Sequence, residues 1–120
     1  SQEIELSPGP EPASEPETLA LLEVIERLQP RNIVSLHAPL ACIEDPAGGR
    51  LAQWAAAKTG LPMVPSVGYP TPGSFGSWCS DHGIGILTWE LPPKPLPELI
   101  RSHQSVLRSL ITGAYPPEIV

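Results

Sequence analysis

Seventeen of the 120 residues are proline, and twelve of them fall in three short stretches, Ser7 to Pro16, Pro62 to Pro72 and Pro92 to Pro97. A proline has no amide hydrogen to donate and a locked φ, so such stretches cannot form helix interiors or central strands. Regular structure is therefore confined to the segments between them. The length fits one domain.

Those segments carry clear periodicities. Residues 1–13 combine proline and acidic side chains without periodicity, which marks a tail or connection, and 14–120 read as part of a single α/β domain. Ser14 with Glu17 three residues on is a capping-box pattern that predicts a helix start. Leu21, Val24, Ile25 and Leu28 then share one face, and Gln29-Pro30 closes the helix. Asn32 to Leu36 is short, apolar and partly β-branched, the pattern of a buried strand that delivers His37 at its C-terminal end.

An alanine-rich helix is predicted from Ala47 or Gly48 to Thr59, closed by Gly60. Leu61 to Val67 reads as a short extended stretch and Gly68 to Gly73 as a loop. Ser74 is placed to cap a short helix that runs through Cys79 and stops near Gly83. Ile84 to Trp89 is the second strand, with Glu90 at its exit. A last helix, lined by Leu99, Val106, Leu107, Leu110 and Ile111, ends at Gly113. Helices alternating with short strands predict a layered α/β fold with a largely parallel sheet, whose ligands gather at the C-terminal ends of strands.

Charge and composition narrow the function. A net charge of −6 with few, scattered lysines and arginines argues against a nucleic-acid partner. No apolar run nears the roughly 20 residues that span a bilayer, and the first residues lack signal-peptide character, so no membrane role and a cytoplasmic setting are expected. Cys42 and Cys79 are too few for a disulfide framework and are expected as reduced thiols.

Three side chains stand out by position: His37 and Glu90 at strand ends, and Tyr69 in the proline-rich loop. Singly, each has a structural reading, as a hydrogen-bonded histidine, a strand-end carboxylate and a loop aromatic. Gly73-Ser74-Phe75-Gly76 is not a nucleophile elbow, and Gly83-Ile84-Gly85 lacks the third glycine of a dinucleotide loop. His82 and His103 are expected at surface or helix positions and are assigned no role. No motif surrounds either cysteine that would activate a nucleophile.

The ordered text Ser35-Leu36-His37-Ala38-Pro39-Leu40, Gly68-Tyr69-Pro70-Thr71-Pro72-Gly73-Ser74-Phe75-Gly76 and Thr88-Trp89-Glu90-Leu91-Pro92 resembles the zinc carboxypeptidase family. The resemblance runs from about Ser14 to Pro92. It implies the C-terminal half of a zinc-carboxypeptidase-like domain, a mostly parallel or mixed sheet flanked by helices. By resemblance His37 is a zinc ligand, Glu90 the catalytic glutamate and Tyr69 the mobile-loop tyrosine that closes over substrate. The implied reaction is hydrolysis of the γ-D-glutamyl to meso-diaminopimelate amide of murein peptides, with Zn2+ as cofactor.

One departure is large. The family's His-x-x-Glu zinc pair and its Asn-Arg substrate-carboxylate segment are absent from these 120 residues. One imidazole does not hold a catalytic zinc, so the chain alone is expected to be inactive. The expected partner is an N-terminal fragment or chain carrying His-x-x-Glu, as in a nicked or two-piece enzyme. The alternative is an interaction module that keeps the peptidase fold without its chemistry.

Overall fold

The computed structural model describes residues 7 and 9–120, so the expectation of a tail falls partly outside the described residues, at 1–6 and 8. The chain divides into two compact units, the first ending at Pro30 and the second comprising Arg31–Val120.

In the first unit, residues 9–15 form bends and a turn ahead of helix α1, Pro16–Leu28. The capping box is not made. Pro16 enters at the first helical position, where its missing N–H costs nothing, and this moves the N-cap to Glu15, which makes no side-chain cap bond. The Ser14 hydroxyl instead donates to Glu15 Oε1 at 3.0 Å. Gln29 closes the helix in a left-handed conformation, its N–H bonding Ile25 O at 2.8 Å.

The second unit is a four-stranded sheet in the order β1-β4-β2-β3, with β1 Asn32–His37, β2 Cys42–Glu44, β3 Met63–Val64 and β4 Gly85–Glu90. Its helices are α2 Arg50–Thr59, α3 Phe75–Asp81 and α4 Leu96–Thr112, followed by a short 3-10 turn at Pro117–Ile119. Strands β1 and β4 run parallel, as do β2 and β3, but β2 runs antiparallel to β4, so the sheet is mixed rather than largely parallel.

Alternation along the strands sorts the two faces. Ile43, Leu87 and Trp89 turn to one face and pack with Leu51, Ala52 and Ala55 of α2 and Val106 of α4, the core of this unit. Ser35, His37, Glu44, Thr88 and Glu90 turn to the other face, where α3 lies. The first layer stabilises the sheet, and the second is left to build a site.

Three elements differ from expectation, each for a physical reason. Strand β1 is an edge strand with no fully buried residue, because among the described residues only β4 pairs with it. Strand β2 was not expected at all. Three residues carry too little periodicity to read, and Cys42-Ile43-Glu44 becomes a strand through its partners Glu90, Trp89 and Thr88. Helix α2 begins at Arg50, later than Ala47 or Gly48, because Asp45 accepts the N–H groups of Ala47 and Gly49, each at 2.9 Å. That turn needs Gly48 at φ 61°, a conformation glycine adopts without steric penalty.

Other signals hold. Gly60 and Gly113 cap α2 and α4 in the left-handed region. Ser74 Oγ accepts the Ser77 N–H at 3.1 Å and caps α3.

Candidate functional site

The parallel register of β1 and β4 places His37 directly opposite Glu90. The pairing continues one residue further, with the Leu91 N–H bonding His37 O at 2.7 Å, so the two strand exits are held together by backbone. Their side chains emerge on the same face, with His37 Nδ1 3.9 Å from Glu90 Oε1. That gap exceeds a hydrogen bond, and neither ring nitrogen nor carboxylate oxygen closes on the other.

The two residues differ in environment. Glu90 is buried at 6% exposure, and its Oε2 accepts the Leu40 N–H at 3.3 Å. His37 is exposed, and its Nε2 lies 3.0 Å from Ser35 Oγ, two residues back on the same face of β1. A fixed, sheltered carboxylate therefore stands beside an open imidazole oriented by a serine.

Tyr69 lies in the loop between β3 and α3, 58% exposed, and it lines the same cavity of about 400 Å3 as His37 and Glu90. The base of its loop is tied to the sheet by Glu44, whose Oε1 accepts the Val67 N–H at 3.2 Å. The structure thus brings all three residues singled out in the sequence to one cavity. It adds Glu44 and Asp81 to the lining, neither of which the sequence singles out, and Ser35 and Thr88, which it places beside His37 and Glu90 without a role of their own. Thr88 was legible in principle, as the residue two before Glu90 on a strand. Glu44 was hidden with β2, and Asp81 carries no sequence signal.

Among the described residues no group of three or more His, Cys, Asp and Glu side chains is placed to hold a metal ion. The donors present fit one corner of a zinc site, an exposed imidazole with a carboxylate nearby, and not a whole one. Neither cysteine offers a substitute chemistry. Both are buried and free, and the Cys42 thiol is pushed up by its burial and then by the nearby Glu90 and Glu44 carboxylates. Burial likewise raises Cys79. Such thiols are poor nucleophiles.

His103 is on a helix, as expected, but buried at 3% exposure rather than at the surface. Its ring meets Trp89 edge-on with centroids 5.9 Å apart, and burial lowers its pKa. His82 is exposed, stacks on Trp78 at 3.9 Å, and places Nδ1 2.7 Å from Trp78 O. No helix among the described residues is long and apolar enough to cross a membrane.

No protein-family model matches the chain. Curated proteins named murein peptide amidase A do match it. That of Escherichia coli (strain K12) is 46% identical over 110 residues, covering 92% of this chain and 46% of that protein. That of Vibrio campbellii (strain ATCC BAA-1116) is 38% identical over 110 residues, covering 92% of this chain and 44% of its own. The crystal structure of murein-tripeptide amidase MpaA from Escherichia coli O157 superposes with a TM-score of 0.88 at 44% identity, over 98% of this chain and 48% of that one. The chain spans about half the length of the curated relatives it matches.

Proposed function

We propose that this chain, a homologue of murein peptide amidase A over about half that protein's length, contributes one half of a zinc-dependent amidase site that cleaves the γ-D-glutamyl to meso-diaminopimelate bond of murein peptides. The observation that carries the reading is the backbone-enforced pairing of His37 with Glu90, 3.9 Å apart at two strand exits and facing one cavity with Tyr69.

His37 supplies one ligand, and a His-x-x-Glu pair from a segment outside these 120 residues supplies the others. A zinc ion held by these ligands would supply Lewis-acid chemistry, polarising a carbonyl and acidifying water. Glu90 accepts the proton from the attacking water and returns it to the leaving amine. Its place supports both tasks: the Leu40 N–H fixes Oε2, while Oε1 faces His37 and the cavity. Tyr69 sits on an exposed loop, from which its hydroxyl donates to the bound peptide.

The test is reconstitution. The chain is produced alone and together with the missing half, and each sample is assayed for zinc and for release of diaminopimelate from a murein tripeptide. The assembled form binds about one zinc and releases product, and the isolated chain does neither. Product release by the isolated chain, or an assembled form without zinc or turnover, contradicts the proposal.

A further inference from the structure

The last backbone bond joining β2 to the β3 side runs from the Asp45 N–H to Val64 O at 3.0 Å, and beyond it the chain leaves the sheet. It is tied down again at Val67, whose N–H donates to Glu44 Oε1 at 3.2 Å, while the Gly68 N–H donates to Ser66 Oγ, also at 3.2 Å. On the far side Thr71 O accepts the Ser74 N–H at 3.1 Å and the Ser77 hydroxyl at 3.3 Å, which fastens the loop to the start of α3. Between these fastenings lies the arc Gly68-Tyr69-Pro70, and Tyr69 makes no hydrogen bond among the described residues.

The φ of Pro70 is locked, so rotation within the arc is concentrated at Gly68 and Tyr69. Gly68 holds φ 93°, and a Cβ there would meet nothing within 4 Å, so backbone conformation rather than packing asks for glycine. Each residue of such an arc adds at most about 3.5 Å of reach. Tyr69 can therefore swing over the cavity it lines without leaving it.

Glu44 is the fastening that the sheet supplies. It is half-buried on the cavity face of β2, opposite Thr88, and forms no ion pair among the described residues. A carboxylate shielded from water needs a partner, and the hydrogen bond its side chain accepts comes from the loop. Such a bond is charge-assisted and stronger than one between neutral groups.

We infer that Glu44 is a positioning residue, whose carboxylate pins one foot of the Tyr69 arc and so keeps the tyrosine hydroxyl over the reacting groups. The inference rests on the amidase reading for what Tyr69 does, and it names the residue through which β2 holds that tyrosine in reach. Because Glu44 acts through Tyr69, its removal has no further effect once the Tyr69 hydroxyl is gone.

The test compares substitutions of Glu44 in the assembled protein. Glu44→Gln keeps an oxygen at the same reach, Glu44→Asp keeps the charge but falls one methylene short, and Glu44→Ala removes both. Hydrogen exchange of the Val67 amide is read by NMR, and kcat and KM are measured on a murein tripeptide in these variants and in Tyr69→Phe. Exchange of Val67 speeds up about tenfold or more in Glu44→Ala and Glu44→Asp, and stays near wild type in Glu44→Gln. In the first two kcat falls with KM little changed, and adding Glu44→Ala to Tyr69→Phe lowers kcat no further. Wild-type Val67 exchange in both Glu44→Ala and Glu44→Asp overturns the inference, as does a double variant whose loss is the product of the two single losses. The expected exchange pattern without turnover in any form upholds the anchor while refuting the amidase reading.

Discussion

His37 and Glu90 are placed by their strands rather than by each other, because 3.9 Å is too long for a hydrogen bond and each has its own holder, Ser35 for the imidazole and the Leu40 N–H for the carboxylate. Removing a holder should therefore loosen one partner without moving the other. In the assembled protein Ser35→Ala is expected to weaken zinc binding about 10–100-fold, as outer-shell substitutions do, with the unfolding midpoint unchanged. Competition with a chelator measures it, and unchanged affinity contradicts the orienting role. The buried thiols give a second prediction at this scale. Cys42 and Cys79 should be alkylated by iodoacetamide slowly in the folded protein and rapidly in denaturant. Peptide mass mapping reads this directly, and fast native labelling of Cys42 would reopen a thiol chemistry.

Strand β4 is the element on which everything else is registered, since it pairs with β1 on one side and β2 on the other and alternates core residues with cavity residues. Trp89 fills the core while its neighbours Thr88 and Glu90 face the cavity. Trp89→Ala is expected to cost about 3–5 kcal/mol of stability, measured by denaturant unfolding. Helix α4 supplies a pH dependence. His103 is buried with its pKa lowered below the 6.5 of a free imidazole, so the unfolded chain takes up a proton that the folded one resists. Its contribution to stability is complete above that value and is lost as the pH falls below it. His103→Phe, which keeps an aromatic ring against Trp89, should flatten that decline.

Sequence patterning made β4, the capped α3 and the glycine-closed helices legible, because each carries its own local signal. It missed β2, whose pairing comes from partners far along the chain, and the late start of α2, which Asp45 decides through side-chain bonds. It also missed Asp81, because the cavity wall to which it belongs exists only once α3 lies over the sheet.

At the scale of the whole molecule, β1 bears His37 at its end and leaves one edge without a strand among the described residues, while the chain matches about half of each relative's length. An uncovered edge of this kind invites pairing with another chain. The chain produced alone should accordingly self-associate in sedimentation, and addition of the complementary segment proposed above should suppress this; a stable monomer would contradict it. The central claim is that Glu90 is the proton-transferring group of a zinc site to which His37 contributes. Glu90→Gln in the assembled protein tests it most directly, with bound zinc and amide hydrolysis measured on the same sample. The account predicts about one zinc retained and turnover reduced by about 10²–10⁴-fold. Near-wild-type turnover with zinc in place would contradict it.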